Sequence, residues 1–172
     1  MSTIIAPEAF TTRSGVELLV RPTTAFDERE LARFFDRVGD EDRRFRFLSA
    51  SKHVGREQLQ PLVQVDHYRS ESFLAFETQG GTLVATAQLA CDDALDTAEV
   101  AVSVRADYRG KGVGWTMLDL LAREAEKRGV RRVISIESRD NHAAIALERE
   151  KGFVAEPFDG DSTLVLLTKA FR

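Results

Sequence analysis

Residues 97–114 read TAEVAVSVRADYRGKGVG, and this stretch decides the fold. Its first part, residues 97–104, is rich in branched apolar side chains and is typical of a strand. A glycine-rich turn follows at 109–114, in the order Arg-Gly-Lys-Gly-Val-Gly. Glycines allow positive φ and close backbone approach, and a helix that starts at such a turn attracts anions to its N-terminus. The turn therefore predicts a site for a phosphate-bearing ligand.

The residues after the turn predict a helix that ends at Gly129. Its apolar face is formed by Val113, Met117, Leu120, Leu121 and Ala125.

Two other phosphate-binding patterns fail in the glycine turn. A P-loop requires glycine where Arg105 stands and Ser or Thr where Gly112 stands, and a dinucleotide-binding turn requires its third glycine at Trp115. What remains is R-x-x-G-x-G after a strand, which Arg109, Gly112 and Gly114 satisfy.

Outward from this segment, the pattern predicts strands and helices on both sides. Strands are predicted at residues 16–21, 71–78, 82–90, 133–137, from 152 onward and 163–168, and helices at 24–38 and 141–150, with one or two short helices in 40–66. The order β-α-α-β-β-β-α-β-α-β-β indicates a mixed α/β sheet with helices on both faces. We expect a single domain over residues 1–172, in which residues 1–14 are flexible.

Composition excludes several classes of protein. The 172 residues are 43% hydrophobic with a net charge of −4, which favours a folded domain and removes the simplest electrostatic case for nucleic-acid binding, while a local basic patch stays open. No apolar run is long enough for a membrane span, and we expect a cytoplasmic protein. Cys91 is the single cysteine, and His53 and His67 lack metal-ligand spacing, so no metal site is predicted.

Two segments together resemble the GNAT superfamily of acetyltransferases. VSVRADYRGKGVG at 102–114 is similar to the family's acyl-CoA motif, and DNHAAIALEREKGF at 140–153 is similar to the motif that follows it. The resemblance implies a GNAT fold, with a mixed, mostly antiparallel sheet of six to seven strands flanked by about four helices. It also implies acetyl-CoA as co-substrate.

The resemblance further implies which residues hold the donor. The strand at 102–104 would diverge from its neighbour and pair with the pantetheine arm, the pyrophosphate would lie over the glycine turn, and Asn141 would contact the pantetheine or cap its own helix. The implied cofactor residues are Val102, Ser103, Val104, Arg109, Gly110, Lys111, Gly112, Val113, Gly114 and Asn141.

Transfer to an amine requires a base, because an amine with a pKa of about 10.4 is almost entirely protonated at pH 7. Glu99 is the expected base, since it precedes the cofactor turn on the same strand, as in similar enzymes that acetylate protein lysines. A backbone N–H near Ser103 would stabilise the carbonyl oxyanion. Many family members have a Tyr as general acid where this chain has Glu148, so the acid stays open. The sulfur could leave as a thiolate with help from water, since a thiol has a pKa of about 8.5. Tyr108 is the nearest alternative acid in the sequence, but it is expected to pack at the turn.

The acceptor is predicted from a second likeness. DRRFRF at 42–47 and QVDHYRSESFLAF at 64–76 resemble the acetyltransferase module of bacterial Pat-type protein lysine acetyltransferases, which implies a protein lysine, for example of an acyl-CoA synthetase. A small-molecule amine acetyltransferase and a non-catalytic acyl-CoA-sensing module remain alternatives, as do monomer and homodimer. Arg43, Arg44 and Arg46 form either a solvated helix face or a docking patch for an acidic partner.

Overall fold

The computed structural model describes residues 7–47 and 55–171, without the side chains of residues 44, 45 and 47. Its strands are β1 (Glu8–Thr11), β2 (Glu17–Pro22), β3 (Ser70–Glu77), β4 (Leu83–Cys91), β5 (Thr97–Val104), β6 (Arg132–Ser138), β7 (Val154–Pro157) and β8 (Leu164–Ala170). They form one sheet in the order β1-β2-β3-β4-β5-β6-β8-β7. Neighbouring strands of this sheet pair antiparallel, except β5 and β6, which pair parallel.

The helices of the described residues are α1 (Glu28–Asp36), α2 (Asp40–Phe47), α3 (Arg56–Val63), α4 (Val113–Lys127) and α5 (His142–Glu150). A capped 3-10 turn precedes α1, in which Asp27 accepts from the backbone N–H of Thr24 at 2.7 Å. Arg21 holds the same carboxylate with two hydrogen bonds of 2.9 and 2.8 Å. The first helix is thereby fixed to the end of β2.

Helices cover both faces of the sheet, as the sequence predicted. Successive side chains of β3 point to opposite faces of the sheet. Phe73 and Ala75 therefore pack in the core under α4, whereas Leu74 packs under α1 and α3. Leu121 of α4 and Leu74 are both fully buried, and burial of one such side chain stabilises the fold by about 2 kcal/mol.

The expected GNAT fold is confirmed, with eight strands instead of six to seven. The additional strand is β1, so the prediction that residues 1–14 are flexible is wrong for residues 8–11; residues 1–6 lie outside the described part. Pairing with β2 and a bidentate ion pair between Glu8 and Arg123, with both N···O distances 2.9 Å, hold β1 in place. Within the described ranges, no helix is long and apolar enough to cross a membrane.

The central pair of strands separates partway along its length. β5 and β6 are paired at Thr97↔Arg132, Ala98↔Val133 and Glu99↔Ile134, and no further pair between these two strands follows. Beyond Glu99, the backbone groups of β5 on that side therefore face a cleft. The divergence expected at 102–104 is present and begins just after Glu99.

Candidate active site

The cleft between the diverging strands is the candidate site. It holds a cavity of about 570 Å³, within the size range of ligand and cofactor sites. Its wall includes nearly all the residues predicted for the site: Glu99, Val102, Ser103, Val104, Arg109, Gly110, Gly112, Val113, Gly114 and Asn141. Lys111 lies beside it, with its Nζ 4.9 Å from the centroid of the Tyr108 ring. The roles of these residues stay predictions.

The glycine turn presents unpaired donors at one end of the cleft. Gly110 and Gly112 have φ of 74° and 79°, a conformation that favours glycine. Among the described residues, no acceptor takes a hydrogen bond from the backbone N–H groups of residues 110–115. A row of free N–H groups at the start of α4 fits a pyrophosphate.

Gly114 allows α5 to approach α4 closely. A Cβ at this position would lie 3.3 Å from Cδ2 of Leu147, closer than ordinary van der Waals contact. The glycine therefore brings the cleft-lining side of α5 against the start of α4.

The turn between β1 and β2 covers the glycine turn, which the sequence did not predict. Ser14 Oγ donates to the carbonyl of Lys111, and a Cβ at Gly112 would lie 3.3 Å from the backbone nitrogen of Arg13. The Arg13 guanidinium lies 3.9 Å above the Trp115 ring, and Lys151 Nζ lies 3.8 Å from the centroid of the same ring. Arg13 also lines the cleft and adds a cation to this end of it.

Arg109 is paired within the protein. Its Nη1 lies 3.1 Å from Oδ2 of Asp42 in α2, and its Nη2 lies 2.9 Å from the place of a Cβ on Gly39. The side chain thus ties the glycine turn to the junction of α1 and α2 while it remains half exposed. An anion in the turn would meet a cation whose charge Asp42 partly offsets.

Both alternatives for the arginine run are wrong for Arg43. This side chain is 4% exposed and donates to the carbonyls of Phe35 and Val38 at 3.0 and 3.2 Å, so it caps the end of α1. Its Nη2 also contacts Oδ1 of Asp40 at 2.6 Å. The sequence pattern could not reveal this, because one carbonyl lies in the preceding helix and the other just after it.

Arg46 points into the cleft and was not predicted for the site. Its Nη2 donates to Oε1 of Gln88 in β4 at 2.6 Å. Burial lowers the pKa of its guanidinium, and the charges of Glu99 and Glu137 oppose that shift. Arg46 therefore lies within electrostatic reach of one carboxylate from each diverging strand.

Glu99 and Ser103 lie on the β5 side of the cleft. The Glu99 side chain is exposed, at the point where β5 leaves β6. Ser103 is 6% exposed, and its Oγ has no hydrogen-bond partner among the described residues. A buried hydroxyl without a partner is unusual in a folded protein and indicates a group that a ligand can satisfy.

The opposite wall holds two carboxyl groups, Glu137 at the end of β6 and Glu148 in α5. Glu137 accepts from Ser135 Oγ at 3.0 Å and from Asn141 Nδ2 at 3.2 Å. Burial, followed by the charge of Glu137, raises the pKa of Glu148 to about 9, and burial raises the pKa of Glu137 as well. Strand alternation of Val133, Ser135 and Glu137 could have indicated that Glu137 faces the helices.

Asn141 caps its own helix, as one of its two predicted roles requires. Its Oδ1 accepts from the backbone N–H of Ala144 at 3.4 Å, while its Nδ2 donates to Glu137. The contact with pantetheine stays a prediction. Tyr108 is at the turn, where its hydroxyl donates to Glu77 of β3.

No cluster of three or more potential metal-binding side chains occurs among the described residues. His67 Nδ1 lies 2.8 Å from Oε1 of the buried Glu71, and His142 is exposed. His53 lies outside the described residues.

Comparisons with known proteins agree with this geometry. The model of the acetyltransferase (GNAT) family matches residues 23–153. The chain is 29% identical to an acetyltransferase of Pseudomonas aeruginosa over 156 residues, 88% of this chain and 83% of that protein.

Two solved structures extend the likeness. The GNAT domain of S. lividans PAT superposes with a TM-score of 0.86 and 25% identity, covering 96% of this chain and 97% of that one. A cAMP-binding acyltransferase from Mycobacterium smegmatis shares the fold, with a TM-score of 0.65 and 24% identity over 97% of this chain, which spans 48% of that protein.

Proposed function

Because the chain belongs to the acetyltransferase (GNAT) family, whose enzymes use acetyl-CoA, we propose that its acceptor is a lysine side chain of a protein. An acyl-CoA synthetase is the expected client. The observation that carries the proposal is Glu99, an exposed carboxylate that lines the cleft where β5 leaves β6. Similarity to the S. lividans PAT domain over nearly the whole of both chains supports the choice of acceptor.

The donor half of the proposal rests on the free backbone groups of the cleft. The N–H groups of residues 110–115 would bind the pyrophosphate, with Arg13 and Arg109 adding positive charge beside it. The unpaired edge of β5 would bind the pantetheine arm by backbone hydrogen bonds. No metal is needed for either contact.

The acceptor half rests on Glu99. An incoming lysine is an ammonium ion at pH 7 and must lose a proton before its nitrogen can attack the thioester carbonyl. Glu99 would take that proton, directly or through a water molecule, and release it to solvent from its exposed position. A backbone N–H of β5 near Ser103 would stabilise the oxyanion that forms.

The test is transfer of isotope-labelled acetyl groups from acetyl-CoA to a purified acyl-CoA synthetase, with spermidine and a free amino acid as competing acceptors. Mass spectrometry should find the label on a lysine of the synthetase. Label on the small amines alone would favour a small-molecule acetyltransferase. Bound acetyl-CoA without transfer to any acceptor would favour a sensing module.

Replacement of the base gives the first mutational prediction. Glu99→Gln should lower the rate of transfer about 10²-fold, because it removes general-base catalysis, and should change the Kd for acetyl-CoA less than threefold. Glu17→Gln is the matched control, since Glu17 is also an exposed strand residue but lies in β2, away from the cleft. Equal turnover of Glu99→Gln and Glu17→Gln would exclude Glu99 as the base.

A further inference from the structure

Two carboxyl groups lie together on one wall of the cleft, and the steps above use neither. Glu148 is 6% exposed, yet it lines the cleft together with Glu137, opposite the free edge of β5. A buried carboxyl pair is costly for a fold, because two ionised groups repel each other and both lose hydration. Such pairs are typical of sites that hold a proton for use.

The surroundings decide which member of the pair holds the proton. Glu137 accepts hydrogen bonds from Ser135 and Asn141, and the positive charge of Arg46 acts on it. These contacts favour its ionised form. Glu148 also contacts Ser135 and Glu137, but its Oε2 has no hydrogen-bond partner among the described residues, and the charge of Glu137 favours its neutral form. The pair therefore shares one proton, and that proton resides on Glu148.

We propose that Glu148 is the general acid that protonates the sulfur of CoA as it leaves. When the tetrahedral intermediate collapses, the carbon–sulfur bond breaks and its electron pair goes to sulfur. Glu148 then transfers its carboxyl proton to the sulfur, which gives CoA thiol and the Glu148 carboxylate. Solvent returns a proton to Glu148. The two protons that the nitrogen loses, one before the attack and one from the tetrahedral intermediate, leave in turn through Glu99, so each transfer releases one net proton.

The two residues of this scheme lie on different walls of the cleft. Glu99 comes from β5 and Glu148 from α5, so the acid and the base approach the reacting carbon from different sides. Proton transfer from Glu148 to the sulfur also has a free-energy change near zero, because the pKa of Glu148, about 9, is close to that of a thiol, about 8.5. A carboxyl with an ordinary pKa would be ionised at pH 7 and have no proton to give.

Charged groups around Glu148 come from several elements. Glu137 of β6 acts on Glu148 directly, while Arg46 of α2 and Glu99 of β5 line the same cleft and act on each other. α5 also contacts β7 and β8, which carry Glu156 and Lys169. Burial is the largest cause of the raised pKa of Glu148, and the negative charge of Glu137 adds to it by favouring the neutral form.

The first test is spectroscopic and does not depend on the acceptor or on turnover. At pH 7, the infrared spectrum of the wild-type protein should contain the C=O stretch of a protonated carboxyl that E148Q lacks. CoA thiol should shift this band, because its sulfur accepts a hydrogen bond from Glu148, whereas desulfo-CoA should not. Absence of the band, or the same response to both ligands, would overturn the assignment.

The second test is kinetic and uses single-turnover transfer from acetyl-CoA to the acceptor that the wild-type protein acetylates fastest. The wild-type rate should fall as the pH rises through about 9, where Glu148 ionises. E148Q and the apolar E148M should both be slower by about 10²-fold at pH 7, without this falling limb and with KM for acetyl-CoA changed less than threefold. E126Q, on the exposed side of α4, is the control.

The outcomes separate this inference from the proposed acceptor. The role of Glu148 rests on acetyl transfer from acetyl-CoA, and it holds whether the acceptor is a protein lysine or a small amine. A folded E148M with the wild-type rate and pH profile would overturn it. Failure of the synthetase as acceptor would overturn the proposed function alone, because the infrared test requires only CoA.

Discussion

Both the backbone conformation at Gly112 and the space around it favour glycine. Its φ is 79°, and a Cβ would lie 3.3 Å from the backbone nitrogen of Arg13. In the Gly112→Ala variant, we expect the turn to move, with the Kd for acetyl-CoA rising at least tenfold and a stability loss of about 1 kcal/mol from the positive φ. Isothermal titration and thermal melting measure these two effects separately.

Gly80 provides the matched control for that prediction. It also has a positive φ, 87°, but no atom beyond Gly80 itself and its two chain neighbours lies within 4 Å of its ideal Cβ. Gly80→Ala should therefore lose a similar amount of stability, about 1 kcal/mol, while acetyl-CoA binding stays unchanged. If both variants bind acetyl-CoA as the wild type does, the contact with Arg13 does not shape the donor site.

Single residues were predictable where they are close in sequence to the glycine turn. Glu99 and Ser103 follow from the strand that leads into it, and the structure brings both to the cleft. The pairing of Glu137 with Glu148 was not predicted, because one ends a strand and the other lies in a separate helix, 11 residues further along the sequence. Their burial depends on how α5 packs, which no local pattern encodes.

At the scale of elements, the β1–β2 hairpin is the main departure from the sequence-based prediction. β1 has four residues, of which Phe10 alone is partly buried, so its sequence shows no alternation. Its position depends on β2, on Arg123 and on the glycine turn, all distant in sequence. The longer strands and α4 were predictable because their periodic apolar residues face one core.

The hairpin position leads to a prediction for Arg13. Arg13→Ala should weaken acetyl-CoA binding by about threefold to tenfold, since it removes a cation from the phosphate end of the cleft and the cover of Trp115. The difference from wild type should shrink at high salt, which titration at two salt concentrations would reveal. Arg33→Ala, on the exposed face of α1, is the control and should bind acetyl-CoA as the wild type does.

The protein is built on one sheet, and the two strands at its centre, β5 and β6, pair over only part of their length. β5 and β6 keep three residue pairs, and the rest of their facing edges is exposed to the cleft. The outer edges are short, because β1 and β7 have four residues each, which limits edge-to-edge association. Backbone hydrogen bonds forgone in the middle of the sheet are thus available to a ligand.

A buried acid in that cleft must also affect the stability of the whole protein. The pKa of Glu148 is about 9 in the folded state and about 4.5 when unfolded, so between these pH values the unfolded chain loses a proton that the folded protein keeps. The free energy of unfolding therefore falls as the pH rises from about 5 to about 9, by up to about 1.4 kcal/mol per pH unit, and levels off outside this window.

E148Q removes the contribution of Glu148 to this dependence, because an amide is neutral at every pH in both states. The Tm of E148Q minus that of the wild type should rise from pH 5 to pH 8, on the order of several degrees in total. Glu137 acts in the same direction, since burial raises its pKa too, and leaves a smaller slope in the variant. Thermal melting at each pH, with E126Q as control, measures the difference; a constant difference would mean that Glu148 is ionised in the folded protein.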